Sequence, residues 1–240
     1  MSFAPRFRQG MKAAIPIWIA FVPSSLAWGI AAQAHGLTLE EIVVMSAWVY
    51  SGPAQFAVLA PLAEGKSAAT VLIAGLLMNL RFLPMSTALA PFFRGVKRLP
   101  LVLASHVVSA SSFIVPYLQF QQEREASGGR SVADGYGNLG FFLGIGATAF
   151  TIWVAGTAAG YGVALSFPAG FEEALKFILP GYFAGLLVAE MKGKTMPLIC
   201  LASMVTAIPG ALFNAGWGWL ATAALIAVLG WSLEKWLSRV

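Results

Sequence analysis

The run Tyr50-Ser51-Gly52-Pro53-Ala54-Gln55-Phe56 is where this chain could do chemistry. It lies in the middle of an apolar segment, Ile42 to Leu62. A helix in lipid must satisfy its own backbone groups, because no water is there to do it. Pro53 has no N–H and clashes with the preceding turn, and Gly52 adds backbone freedom, so the helix is expected to break. Exposed N–H groups of a half-helix suit a carboxylate. Ser51 and Gln55 flank the break with further hydrogen-bonding groups. Broken helices at membrane depth are tolerated where they are buried in protein or line a cavity, and in transporters they commonly form the solute site. An ordinary Pro-kinked helix is the plainer reading of the same residues.

Four further places carry groups that lipid does not tolerate for nothing. A charge at a helix centre costs about 2.5–3.5 kcal/mol or more. Arg81 stands well inside the third apolar segment, with Asn79 beside it and Pro84 three residues on. Its guanidinium suits a carboxylate, and equally suits carbonyls freed by the proline or a partner subunit. His106 is the ionisable group of the fourth segment, on a face with Ser105, Ser109, Ser111 and Ser112. It is the candidate for a coupling proton, against a neutral histidine bonded between helices. Pro23-Ser24-Ser25-Leu26-Ala27-Trp28-Gly29 is a kink with serines able to line a path. Pro180-Gly181-Tyr182 is a second break, without a glutamine. The expected solute site lies where the breaks at Gly52-Pro53 and Pro180-Gly181 meet, with the carboxylate against half-helix N–H groups or Arg81 and with Ser51, Gln55 and Asn79 at polar groups. Trp28, Phe56 and Tyr182 form its apolar pocket.

The elements that must position these groups are membrane helices. The chain has 240 residues, 58% hydrophobic and only 10% charged, against about 25% charged in a soluble domain. That excludes a separate soluble domain, and nothing resembles a nucleic-acid stripe. One cysteine, Cys200, in an apolar run excludes an internal disulfide and a thiol metal cluster. No metalloprotease, nucleophile-elbow or Walker motif is present, so neither an enzyme nor an ATPase is expected, and no cofactor. Arg6, Arg8 and Lys12 precede the first apolar run, which is too long for a signal peptide and is expected to stay as a span.

Apolar segments run over 11–34, 42–62, 68–93, 101–120, 139–163, 175–189, 196–213 and 217–236. Residues 121–138 are the one long polar connection and divide an N-terminal half, 1–120, from a C-terminal half, 139–240. The halves look alike. Leu39-Glu40-Glu41 and Phe171-Glu172-Glu173 open corresponding segments, each nine residues before a tyrosine at a Gly-Pro or Pro-Gly break. Gly29-Ile30-Ala31-Ala32 resembles Gly156-Thr157-Ala158-Ala159. The expected fold is an all-α membrane protein of two four-segment repeats with broken or re-entrant helices. If all eight segments cross, the repeat is parallel. If 42–62 and 175–189 dip in and return, it is inverted, and the cluster Arg94-Gly95-Val96-Lys97-Arg98 falls on the cytoplasmic side with both termini. The inverted arrangement is the one expected.

The residues Pro23…Gly29, Gly36, Glu41, Met45-Ser46, Ser51-Gly-Pro-Ala-Gln55-Phe56, Gly65 and Asn79-Leu-Arg81 together resemble the AzlC family. Trp153…Gly156-Thr157…Gly160 and Glu173…Pro180 extend the match over nearly the whole chain. The resemblance implies the larger subunit of a two-component exporter of branched-chain amino acids in the bacterial inner membrane. Its partner would be a small AzlD-like membrane protein and its energy source the proton gradient. One departure stands out: many members carry Thr-Asp-Glu in the fourth segment, whereas Ser109-Ala110-Ser111-Ser112-Phe113 has no acid. A passive channel and a non-transporting assembly subunit are the alternative functions. Self-association into a homo-oligomer is left open.

Overall fold

The computed structural model describes residues 2–128, 134–166 and 168. Among the described residues all regular structure is helical: α1 (Phe3–Ala13), α2 (Ile17–Ala34), α3 (Leu39–Val49), α4 (Gly52–Ala63), α5 (Ala68–Asn79), α6 (Phe82–Leu89), α7 (Arg98–Ser105), α8 (Ala110–Ala126) and α9 (Gly135–Ala164). Among the described residues, three stretches are long and apolar enough to cross a membrane: Ile17–Ala34, Ala68–Phe93 and Gly135–Ala164. The middle one is α5, α6 and a closing 3₁₀ turn, Ala90–Phe93. It is kinked at Leu80-Arg81, where Pro84 cannot donate to the carbonyl one turn back. A turn at Ala14-Ile15-Pro16 likewise joins α1 to α2.

α9 is the post around which the rest is arranged. Its 30 residues are about 45 Å long at 1.5 Å each. α1 and α2 lie along it in the same direction, because glycines let backbones touch. A Cβ on Gly144 would overlap the Phe7 carbonyl, one on Gly160 the Leu26 carbonyl, and one on Gly29 the Thr157 carbonyl. Phe3 meets Gly140, Phe7 meets Gly144 and Leu26 meets Gly160, so the contact advances together along both chains. In lipid, close packing of small residues takes over the role that hydrophobic burial plays in water.

Among the described residues, the apolar segments 42–62 and 101–120 are each split into two helices. Ser46 and Gln55 are nine residues apart, which in a continuous helix is about 13 Å along the axis. Their side chains are joined by a hydrogen bond of 2.9 Å. The chain therefore doubles back at Tyr50-Ser51. Along α9, Ser46 meets Thr157, Tyr50 drops to Phe150, and Gln55 returns to Trp153. α3 and α4 are a hairpin that dips to the middle of α9 and leaves by the side it came from. Tyr50 makes the turn in the left-handed region, φ 37 and ψ 48, at about 1–2 kcal/mol for a residue with a Cβ. α4 restarts with Pro53 in its first turn, where a missing N–H is harmless.

The fourth segment, read above as a single apolar stretch over 101–120, makes a second hairpin from the opposite end. Lys97 N–H donates to the Tyr136 hydroxyl at the start of α9. Val107 lies over Gly146, and His106 reaches the Phe150 ring. Then Phe120 comes back to Phe141 and Glu123 to Arg6 beside Asn138. Ser109 enforces the break. Its hydroxyl accepts from Ser112 N–H while Ser112 Oγ accepts from Ser109 N–H, a capping box that starts a new helix.

Among the described residues, a long apolar stretch followed by a two-helix hairpin occurs in α1–α4 and again in α5–α8. Each span ends at a glycine of matching left-handed φ, 86° at Gly36 and 84° at Gly95, and each hairpin restarts from a serine N-cap, Ser51 or Ser109. The inverted relation expected between residues 1–120 and 139–240 rests largely on segments outside the described residues. α2 and α9, matched above as counterparts, run parallel because two returning hairpins leave one crossing between them. The later segments of the C-terminal half lie outside the described residues. The polar connection is also shorter than 121–138, since α8 runs to Ala126 and α9 starts at Gly135.

Candidate functional site

The two hairpin tips meet beside Phe150, half-way along α9. Its ring takes Tyr50 from one tip, centroids 5.2 Å apart, and His106 from the other, 5.7 Å apart. His106 Nε2 is 2.8 Å from the carbonyl oxygen of Ala47 in the last turn of α3. A carbonyl only accepts, so Nε2 carries the hydrogen and Nδ1 is the nitrogen left to take a proton. The helix C-terminus presents the negative end of its dipole to that ring. The Tyr50 hydroxyl is buried without a hydrogen bond of good geometry, and Ser109 is the polar side chain facing it.

The tips are unequal. At the second, Ser109 and Ser112 satisfy each other, and Ser112 Oγ also donates to the Val107 carbonyl at 2.6 Å. At the first, Ser51 occupies the N-cap position but makes no cap, and its hydroxyl is buried without a partner, the residue 4% exposed. The opening N–H groups of α4, on Gly52 and Ala54, have no acceptor within the helix, and Pro53 has no N–H at all. α4 runs away from the tip, so its positive dipole end and these N–H groups point at the meeting place. An anion fits such a terminus.

Behind the first tip is a closed polar network. Ser46 Oγ accepts from Trp28 Nε1 at 3.0 Å and from Gln55 Nε2 at 2.9 Å. With both lone pairs taken, its own hydrogen must go to Thr157 Oγ1, 3.1 Å away. Thr157 in turn donates to the Trp153 carbonyl at 2.8 Å, and Trp153 Nε1 donates to Gln55 Oε1 at 2.9 Å. Ser46, Gln55, Thr157 and Trp28 are all fully buried. Phe56 packs edge-to-face on Trp28 with centroids 5.4 Å apart. The network fastens α3 and α4 to α2 and α9.

The structure places Ser51, Gly52 and Pro53 at the tip of the first hairpin. It puts Gln55, Trp28 and Phe56 behind the tip, holding the hairpin and leaving no space between the rings. Asn79 and Arg81 sit on the neighbouring span at its kink. The 12 residues of α5 bring Asn79 about 18 Å from the start of that span, to the depth reached by the 11-residue α3. Asn79 Oδ1 is buried without a hydrogen bond, and the Arg81 guanidinium lies over the Phe82 ring at 5.1 Å. Pro180, Gly181 and Tyr182 lie outside the described residues. Sequence reasoning did not single out Ser46, Trp153 and Thr157 as site residues. The signal available was the i, i+4 pair Trp153/Thr157 on a helix with Gly156 and Gly160.

A second buried polar cluster ties down the other hairpin. Arg6, 3% exposed, holds Glu123 with two parallel bonds of 2.7 and 3.0 Å and reaches Asn138 Oδ1 at 3.3 Å. Its guanidinium lies against the Phe141 and Phe120 rings, 4.9 and 5.9 Å from the centroids. Among the described residues, groups of His, Cys, Asp and Glu able to hold a metal ion are absent.

Spans that cross, paired with half-length hairpins whose tips meet between them, define an integral membrane protein with a polar break at its centre. The chain belongs to the AzlC family: the family model, described as AzlC protein, matches residues 16–165, which include every element from α2 to α9. It is 27% identical over 209 residues to "Inner membrane protein YgaZ" of Escherichia coli K12, covering 85% of this chain and 80% of that protein. It is 25% identical over 196 residues to an "Uncharacterized membrane protein" of Archaeoglobus fulgidus, covering 81% and 80%. No solved structure matches.

Proposed function

We propose that this protein is a secondary carrier that moves amino acids with hydrophobic side chains out of the cell, working with a small AzlD-like subunit. The observation that carries the reading is the uncapped start of α4 at mid-depth, with the Ser51 hydroxyl buried and unpartnered beside it. A zwitterion's carboxylate takes the Gly52 and Ala54 N–H groups and the Ser51 hydroxyl. It thereby satisfies donors that lipid leaves bare. Arg81, at the N-cap position of α6, is the cation at the kink of the neighbouring span. The two hairpins approach from opposite ends, so a solute held between their tips is released to one side or the other according to which hairpin withdraws. His106 is the coupling group: its Nε2–H holds the first hairpin through Ala47, and a proton on Nδ1 strengthens that hold by adding charge at a helix C-terminus. Tyr50 is the other titratable group at this contact.

Orientation follows from charge. Arg6, Arg94, Lys97, Arg98 and Arg124 lie at the end where α9 begins. At the other end stand Glu40, Glu41, Glu64 and Lys66, the last two 3.5 Å apart. The positive-inside rule puts the first end, with the N-terminus, in the cytoplasm.

The test is purified protein in liposomes, with and without the small subunit, under an imposed pH gradient. A carrier shows uptake accelerated by the same amino acid on the far side. Flux without that acceleration indicates a channel, and no flux with both subunits present indicates an assembly subunit; either outcome refutes the proposal. Ser51→Ala is expected to weaken apparent affinity about tenfold. That is the loss of one hydrogen bond to a charged group, about 1.5 kcal/mol. His106→Gln keeps an N–H donor, so exchange should survive while accumulation driven by the pH gradient is lost.

A further inference from the structure

We propose that the C-terminal end of α3 holds the α-ammonium group of the solute, so that the first hairpin tip grips both charges of a zwitterion. The inference rests on the reading of Ser51 to Ala54 as the carboxylate site. Among the α-helices described, α3 alone ends without a backbone bond from its C-cap; every other one closes on carbonyls of its own last turn. A left-handed residue at a helix end ordinarily brings such bonds. The one at Tyr50 brings none. The carbonyls of Trp48 and Val49 therefore have no backbone N–H to accept from, and that of Ala47 takes its donor from the other hairpin, His106 Nε2 at 2.8 Å. In lipid a bare carbonyl costs as a bare N–H does, several kcal/mol being the general scale, about what a bound cation's donors can offset.

The two helix ends at the tip are a matched pair. α3 runs into the tip, so its last carbonyls and its negative dipole end point there. α4 runs out of it, so its first N–H groups and its positive end point there, each end equivalent to about half an elementary charge. Only Tyr50 and Ser51 separate them. Val49 and Gly52 can therefore be at most about 11 Å apart between Cα atoms, and the turn back shortens that. An α-amino acid carries its ammonium and its carboxylate on one carbon, which suits two neighbouring ends. An ammonium has three N–H donors and accepts nothing, so it can use two carbonyls and one hydroxyl. Tyr50 and Ser51, each 4% exposed, carry hydroxyls without a partner of good geometry. Glycine would make the left-handed turn at no cost and leave no hydroxyl there. The carboxylates of the described residues stand elsewhere: Glu40 and Glu41 at the start of α3, Glu64 beyond the end of α4, Glu123 and Glu125 at the end of α8, and Asp134 before α9. A helix end, rather than an acidic side chain, is what the tip offers a cation.

The test is competition against labelled leucine in proteoliposomes by compounds that lose one charge at a time. The 2-keto acid with leucine's carbon skeleton keeps the carboxylate and has a ketone for the ammonium. Leucinamide keeps the ammonium and has no carboxylate. Each is expected to compete about tenfold or more weakly than leucine, the loss of a hydrogen bond to a charged group. A keto acid that competes within twofold of leucine overturns the ammonium site and leaves the carboxylate site standing. Leucinamide within twofold of leucine does the reverse. If leucine itself is not taken up, both fall. Location is tested by Trp48→Lys, which sets an ammonium of the protein on the same carbonyls, as a lysine in a last helical turn can. Trp48 is 82% exposed, so the change leaves the core intact. Leucine should lose about tenfold or more in apparent affinity relative to the keto acid, while Trp48→Gln should keep the wild-type ratio. A leucine-to-keto-acid ratio within twofold of wild type in both monodisperse Trp48→Lys and Val49→Lys protein overturns the assignment.

Discussion

Removing one hydroxyl, by Ser46→Ala, is expected to undo the anchorage of the first hairpin. Ser46 Oγ serves three hydrogen bonds at 2.9–3.1 Å, to Gln55, Trp28 and Thr157, all fully buried. Without it, the Trp28 N–H and one Gln55 N–H lose their acceptor in a place water does not reach. By soluble-protein standards each orphaned donor costs about 1–3 kcal/mol, so about 2–6 in total. Side-chain hydrogen bonds in membrane proteins measure less, about 0.6 kcal/mol on average and 1.7 at most, because the unfolded chain in lipid also finds partners. Three such bonds give about 2 kcal/mol, and the membrane value governs here because the alternative state remains in the bilayer. A loss of about 2–3 kcal/mol is expected, a 30- to 150-fold change in the unfolding equilibrium. Unfolding in mixed micelles or by steric trapping reads it directly. Thr151→Ala is the control, because that hydroxyl is exposed and bonds only to its own helix at Ala147 O. A double cycle of Ser46→Ala with Thr157→Val should show coupling of about 0.6–1.7 kcal/mol. If Ser46→Ala costs no more than Thr151→Ala, or the coupling is zero, the network is not what holds the hairpin.

Three other outcomes follow from the geometry. Arg6→Ala leaves the Glu123 carboxylate, 16% exposed, without its cation and should cost about 3–5 kcal/mol, whereas the double change Arg6→Leu/Glu123→Leu should cost much less; thermal unfolding of the detergent-solubilised protein distinguishes them. Gly160→Ala puts a methyl into the Leu26 carbonyl and should cost about 1–3 kcal/mol, while Gly162→Ala, with open space around it, should be neutral or stabilising by up to about 1 kcal/mol. The Thr38 N–H and hydroxyl hold the Glu41 carboxyl below its ordinary value of 4.5. The folded pKa is depressed, so its contribution is complete above 4.5 and disappears as pH falls through the lower folded value. NMR titration of the Thr38→Ala protein should show Glu41 moving back up towards 4.5.

The meaning of the parallel α2 and α9 is physical rather than taxonomic. Two broken segments, one approaching from each end of α9, bring helix ends together at its middle. Had only 42–62 turned back, the first tip would face an unbroken helix, with no second helix end to meet it. Here Ala47 meets His106, and Tyr50 and Ser109 face each other across the contact.

What the sequence by itself determined is what composition and local chemistry control. A chain 58% hydrophobic and 10% charged can only be a membrane protein. Gly52-Pro53 must break a helix, because neither residue supports its continuation. Only the tertiary structure decided which broken segments cross, because a kinked span and a returning hairpin share the same residues. The difference lies in long-range bonds such as Ser46 to Gln55 and Glu123 to Arg6. It also decided that Gln55 and Trp28 brace the site, since a side chain's partner 98 positions away leaves no mark on its neighbours in the chain. The serines of the fourth segment read as a polar face of one helix. Ser109 and Ser112 are instead the cap of a new one, a difference set by three residues of backbone direction rather than by residue type.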